Sequence, residues 1–146
     1  GAVAFRSTVD ATFIRLVADH VVEGRVIFPG AGYCEVAHAA IVMRTQSVGA
    51  ALRAVMFLRP LLVESDMWVE CRLDTHGSFV IEAGVAGAGQ DQELQHCKGE
   101  AFMLPRDVSP PMMDLRKVRL RRRQQLDVQW FYQRLRSGGQ HYGPVF

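Results

Sequence analysis

Net charge is almost absent from this sequence. Its 17 Lys and Arg face 15 Asp and Glu, leaving a formal +2, too little to argue for nucleic acid as a partner. No apolar run approaches the roughly 18 residues of a membrane-spanning helix. The first residues also lack the basic start and apolar stretch of a secretory leader. Cysteine is scarce: Cys34, Cys71 and Cys97 are odd in number and follow no metal-ligand spacing. Their apolar surroundings predict buried free thiols, which fits a reducing cytoplasm. The sequence shows no Gly-rich phosphate loop, no metal constellation and no Ser/His/Asp order, and no internal repeat is visible. With 146 residues, 49% apolar and 22% charged, the remaining class is an ordinary globular domain able to bury one core.

Phe13 to Val22 is rich in Phe, Ile, Leu and Val, which predicts a strand running into a loop at His20. Pro29 suits the first turn of a helix, where its missing N–H costs nothing. From Gly30 to about Gln46, Tyr33, Val36, Ala37, Ala40, Ile41 and Met43 recur at helical spacing. That helix is apolar on most of its circumference, which predicts burial on nearly all sides. Val48, Gly49 and Ala50 mark its exit. The next segments read as strands: residues 54–58 with 61–63 continuing past Pro60, Met67–Leu73 alternating with period two, Ser78–Val85, and residues 94–104. Helix-then-strands gives an α+β class. After Pro105, Ser109-Pro110-Pro111 and the basic stretch 116–123 predict a surface linker. Asp127 then caps a short helix through Trp130, which ends at Ser137-Gly138-Gly139.

Two motifs stand far apart in this framework. His20, Gly24 and Pro29 form His-x-x-x-Gly-x-x-x-x-Pro, followed by Gly30-Ala31-Gly32-Tyr33 and the apolar helix. At the other end, Tyr142-Gly143-Pro144-Val145-Phe146 forms Tyr-Gly-Pro-x-Phe. In this order the motifs resemble the first half of polyketide synthase dehydratase domains, and the dehydratase of animal-type fatty acid synthases is similar. The resemblance runs from about residue 13 to residue 146. It implies a hotdog fold, an antiparallel sheet wrapped around a long central helix, here the first half of a double hotdog. The implied organisation is a first hotdog over 1–104, a linker over 105–126, and over 127–146 a short helix leading into a second hotdog.

The resemblance also implies the chemistry. A β-hydroxyacyl thioester loses water when a base removes the proton beside the carbonyl and an acid protonates the departing hydroxyl. The product is an α,β-unsaturated thioester. Histidine suits the base role because imidazole, with an ordinary pKa of about 6.5, is largely neutral at cell pH. The resemblance assigns that role to His20. Gly24 and Pro29 would shape the loop holding it. An unpaired N–H of Gly30 or Ala31 at the helix start would polarise the thioester carbonyl. The partner acid of the family is an aspartate on the second hotdog, beyond Phe146, so the 146 residues alone are expected to be inactive or nearly so. Asp91 to Gln95 fits the bare pattern of that acid motif but precedes Tyr-Gly-Pro and reads as coincidence. Glu35 follows Pro29 as a glutamate does in single-hotdog bacterial dehydratases, where it meets the histidine of another subunit. A homodimer could in that way supply the acid.

The remaining residues have plainer expectations. Tyr142, Gly143 and Pro144 resemble a segment lining the active site, expected here to hang loose without the strands it joins. His96 reads as structural. Met43, Met56, Phe57, Trp68, Phe79 and Phe102 are expected in the core rather than along an acyl tunnel, which Tyr33 could face. Arg121 to Arg123 reads as solvated linker before it reads as a contact for an acidic acyl carrier protein. The expected partners are that carrier protein, the β-hydroxyacyl substrate, and a second hotdog or another copy. No metal or bound cofactor is implied, since phosphopantetheine arrives with the substrate. The alternatives are a product-template domain directing cyclisation and a non-catalytic scaffold hotdog.

Overall fold

A computed structural model of the chain describes residues 1–47, 49–87, 94–105, 113–120 and 126–143. The central helix α2 (Gly30–Thr45) lies against a five-stranded antiparallel sheet. The strands are β1 (Val3–Thr8), β4 (Ala50–Phe57), β5 (Met67–Leu73), β6 (Ser78–Val85) and β7 (Leu94–Met103). They run in the order β1-β5-β6-β7-β4. This is the hotdog arrangement. β5 and β6 begin and end as expected, β5 on the period-two alternation that marks a strand with one face on a core. Val69, Cys71 and Leu73 of β5, Phe79, Ile81 and Ala83 of β6, and Cys97 and Ala101 of β7 form the inner face. They meet Tyr33, Ala37, Ala40 and Ile41 on α2.

α2 is buried along that one stripe and not on all sides. Met43 is 63% exposed and Glu35 is exposed. A single sheet can cover only one side of a helix, so Ala31, Glu35 and Met43 on the opposite side stay exposed. The same cause leaves four expected core residues outside. Met56, Phe57 and Phe102 join Met43 as exposed side chains, whereas Trp68 and Phe79 are buried. Met56 and Phe57 lie on β4, which among the described residues pairs with β7 alone and forms an edge of the sheet. Cys71 and Cys97 are buried as expected, while Cys34 is only half-buried.

The outer face of the sheet is charged. Arg6, Glu70, Glu82 and Gln95 stand opposite one another in register across β1, β5, β6 and β7. Two carboxylates directly opposed across strands would repel. Arg72 resolves this by reaching Glu70 at 2.7 Å and Glu82 at 3.2 Å, while Arg6 bonds Glu70 at 2.7 Å and stacks over Trp68. Burial pushes the Glu70 carboxyl up. Hydrogen bonds from Arg72 and Arg6 outweigh it and hold the group below the usual carboxylate range.

The segment before the motif departs from expectation. Residues 11–17 form helix α1 (Ala11–Val17), not a strand. Asp10 sets its start, accepting a hydrogen bond from the Phe13 N–H at 2.8 Å. Phe13, Ile14 and Val17 turn toward the core at helical spacing, which a run so rich in apolar residues disguises. An unforeseen strand, β1, precedes it. Beyond Pro60 no strand continues: Leu61 is buried and Leu62 makes an isolated bridge to Ile27. Within the expected linker, residues 115–120 form a fully exposed short helix, α3 (Leu115–Leu120). Asp127 caps α4 (Val128–Ser137) as expected, by accepting from the N–H groups of Gln129 and Trp130. Val48, Asp91 and the runs 109–111 and 121–123 lie outside the described residues.

Candidate active site

His20 opens a short strand, β2 (His20–Val22), rather than sitting in a loop. β2 turns into β3 (Arg25–Val26) through Glu23 and Gly24, with Val22 paired to Arg25. Both turn residues have positive φ, 50° and 76°. A two-residue hairpin of this kind needs that conformation, and glycine supplies it at low cost. The hairpin brings the chain back so that Ile27 lies beside His20. The Ile27 N–H donates to the His20 carbonyl at 3.1 Å. The Ile27 carbonyl in turn sits 2.6 Å from His20 Nδ1. A carbonyl can only accept, so Nδ1 carries the proton, and a neutral imidazole then has its lone pair on Nε2.

From Ile27 the chain enters the start of α2 within three residues. Phe28 donates its N–H to Leu61 O, and Pro29 is the N-cap, at φ −70° and ψ 147°, one position before the helix. No side chain caps the first N–H groups there. Gly32 belongs to this site too, although its motif gave no reason to single it out. A Cβ at Gly32 would lie 2.6 Å from Phe28 Cζ, so only glycine lets that ring seat on the helix. Phe28 stacks on Phe13 and meets Tyr33 edge to face at 4.8 Å, and Tyr33 lies 5.9 Å from Phe57. Phe57 in turn covers Gly30. Tyr33 is 3% exposed, deep in this aromatic group, and its hydroxyl makes no hydrogen bond of standard geometry. Burial, helped by the nearby Cys97 thiol, outweighs the opposing pull of the Leu61 backbone and pushes its phenol far above the ordinary range.

Tyr142 and Gly143 do not hang loose. Gln140–Tyr142 forms β8, which adds to β2 antiparallel, with His20 opposite Tyr142, Val21 opposite His141 and Val22 opposite Gln140. The rings of His20 and Tyr142 lie 5.5 Å apart. Hydrogen bonds run from Gly143 N to Asp19 O and from Glu23 N to Gly139 O. Pro144 lies outside the described residues. The structure thus brings His20, Gly24, Tyr142 and Gly143 together on one three-stranded sheet, β3-β2-β8. Pro29, Gly30, Ala31 and Tyr33 sit at the adjoining helix start. Glu35 is exposed on α2, a full turn further on. His96 is buried against Arg59 O on β7, where burial lowers its pKa below the ordinary value. Among the described residues no group of three or more His, Cys, Asp or Glu could hold a metal ion.

Residues 1–84, more than half of the chain, match the family of polyketide synthase dehydratase domains. The chain belongs to that family, as its N-terminal hotdog half. It is 29% identical over 139 residues to polyketide synthase PksN of Bacillus subtilis, covering 89% of this chain and 2% of that protein. Pks15/1 of Mycobacterium bovis, a phenolphthiocerol synthesis polyketide synthase, is 28% identical over 136 residues, covering 89% and 6%. Among solved structures, the CurK dehydratase of the curacin polyketide synthase superposes with a TM-score of 0.73 at 26% identity, over 97% of this chain and 50% of that one. The dehydratase domain of PpsC from Mycobacterium tuberculosis does so with a TM-score of 0.74 at 24% identity, over 99% and 50%. The chain therefore spans about half the length of these solved domains and a few per cent of the synthases.

Proposed function

We propose that this chain supplies the basic half of a dehydratase acting on a β-hydroxyacyl thioester delivered by an acyl carrier protein. His20 Nε2 removes the proton beside the carbonyl, and the β-hydroxyl leaves as water after protonation by an aspartate of a second hotdog. The 2.6 Å contact from His20 Nδ1 to Ile27 O carries the reading. It holds the imidazole in the tautomer that a general base needs, and Ile27 continues directly into the α2 start. There Gly30 and Ala31 offer N–H groups without a capping side chain, suited to polarising the thioester carbonyl. The exposed Met56, Phe57 and Leu58 at the β4 edge are the surface on which a second hotdog would seat.

Relatives support the division of labour. CurK dehydratase variants described as inactive carry phenylalanine for a histidine, or asparagine for an aspartate. The PpsC domain was solved with C12:1-CoA. The dehydratase match over residues 1–84 favours dehydration over the cyclisation chemistry of product-template domains. No metal or resident cofactor enters this scheme, and phosphopantetheine comes with the carrier protein.

The test is mass-spectrometric dehydration of a 3-hydroxyacyl pantetheine thioester, by the 146-residue chain alone and by the chain joined to a second hotdog. Water loss that needs the second hotdog and is abolished by His20→Ala supports the proposal. Turnover by the chain alone that depends on Glu35 would replace the aspartate with Glu35 of another copy. Turnover unaffected by His20→Ala would refute the assignment of the base.

A further inference from the structure

We infer that Asp19 and Gly143 form a latch that sets the register of β8 on β2, and so places the Tyr142 ring beside the His20 imidazole. The inference deepens the His20 reading above and rests on it for its catalytic meaning. Asp19 directly precedes His20, in the turn that leads into β2. It lies across Gly143. The Gly143 N–H donates to Asp19 O at 3.0 Å. A Cβ on Gly143 would overlap the Asp19 carboxyl carbon and lie 2.7 Å from its Oδ2. Side chain and glycine thus interlock: the carboxylate fills the space that only glycine leaves open.

Register matters here because the side-chain period of a strand is two. A slip of one residue would carry Tyr142 to the other face and bring His141 or Gly143 opposite His20. β8 is only three residues long and buries none of its side chains, so core packing cannot fix that register. A second fastening lies at the far end, where Glu23 N donates to Gly139 O at 2.7 Å. Asp19 and Gly143 are positioning residues in this scheme. They act through Tyr142 and the backbone of β2, without touching a substrate.

The interlock predicts compensation, which nuclear magnetic resonance can read on the 146-residue chain without any turnover. Contacts between the ring protons of Tyr142 and His20, the His20 ring shifts, and exchange protection of the Gly143 amide are measured together. They are compared among wild type, Gly143→Ala, Asp19→Ala/Gly143→Ala and Asp19→Asn. Gly143→Ala should abolish the ring contacts and shift the His20 resonances. Adding Asp19→Ala, which vacates the space, should restore both, and Asp19→Asn, of the same shape, should keep them. Ring contacts that survive Gly143→Ala would overturn the latch, as would a double variant that restores nothing. So would collapse of the whole sheet on Gly143→Ala, read at the buried Cys71 and Ile81, because a latch at a three-residue strand should not carry the core. A failed dehydration assay leaves these readouts unaffected, so the two proposals can fail separately.

Discussion

His20 Nδ1 and the Ile27 carbonyl oxygen are 2.6 Å apart, seven residues from one another in sequence and joined by a two-residue hairpin. That contact makes Nδ1 the protonated nitrogen. Nitrogen-15 spectra of the ring should show the Nδ1–H tautomer in the neutral state. A ring protonated on Nε2 would contradict the base assignment. In a domain that also carries the acid, His20→Ala should lower kcat by about 10²–10⁴-fold, the usual worth of a positioned general base.

Gly32→Ala tests the seat of Phe28. Alanine would favour the helix by up to about 1 kcal/mol, but its Cβ would stand 2.6 Å from Phe28 Cζ. Overpacking a ring against a helix costs about 1–3 kcal/mol, so the net effect should be destabilisation. Urea unfolding should show a lower midpoint with an unchanged slope. A raised midpoint would mean that the ring can move aside freely.

Tyr33→Phe removes a hydroxyl buried at 3% exposure without a hydrogen bond of standard geometry. A buried polar group of this kind costs about 1–3 kcal/mol where it stays unsatisfied. The variant should therefore match or exceed the wild type in stability, measured by the same unfolding experiment. Clear destabilisation would show that the hydroxyl holds a partner in solution.

Arg72→Ala would leave Glu70 and Glu82 opposed across β5 and β6. Removing one partner from a buried ionic group is costly, on the order of 3–5 kcal/mol where both partners are enclosed. Arg72 is itself half-exposed, so the loss should fall below that range. Adding Glu82→Gln should recover part of it, because the repulsion is then gone. A double variant no more stable than Arg72→Ala would place the cost elsewhere.

The thiols give the alkaline dependence. Burial raises Cys97 from an ordinary value near 9 to about 11 and Cys71 to about 12. Both folded values lie above the unfolded one, so this stability is fully present below pH 9 and is lost as pH rises through the 9–12 window. Unfolding midpoints should fall steadily from pH 9 to pH 10.5, and less steeply in Cys71→Ala. In native protein at pH 8, Cys34 should react with a thiol reagent well before the other two, being the half-buried one. Equal reactivity of all three would mean that the core opens readily.

Much of the fold is legible along the chain because its signals are local. The alternation at Met67–Leu73, the apolar run Ser78–Val85 after its turn, the helical spacing from Tyr33 to Met43, and the cap at Asp127 are each complete within a dozen residues. The spacing of His20, Gly24 and Pro29 belongs to the same class, since one hairpin turn and one helix start realise it. By contrast, the Phe13 to Val22 run misleads, because an apolar-rich stretch satisfies strand and helix periods alike until the Asp10 cap is seen at work. The exposure of Met43, Met56, Phe57 and Phe102 was equally hidden, since apolar side chains look the same whether a sheet covers them or leaves them bare.

The sequence by itself therefore determined the central helix, the strands β5 to β7 and the Asp127-capped helix, and marked His20 as the candidate base. Tertiary structure decided the relations between distant residues: Tyr142 opposite His20 across 122 positions, the Asp19 carboxylate laid over Gly143, and Phe28 seated on Gly32. Hydrogen-bonded pairing and steric fit act through space and leave no period along the chain. Only a backbone folded into three dimensions brings such residues within reach of one another.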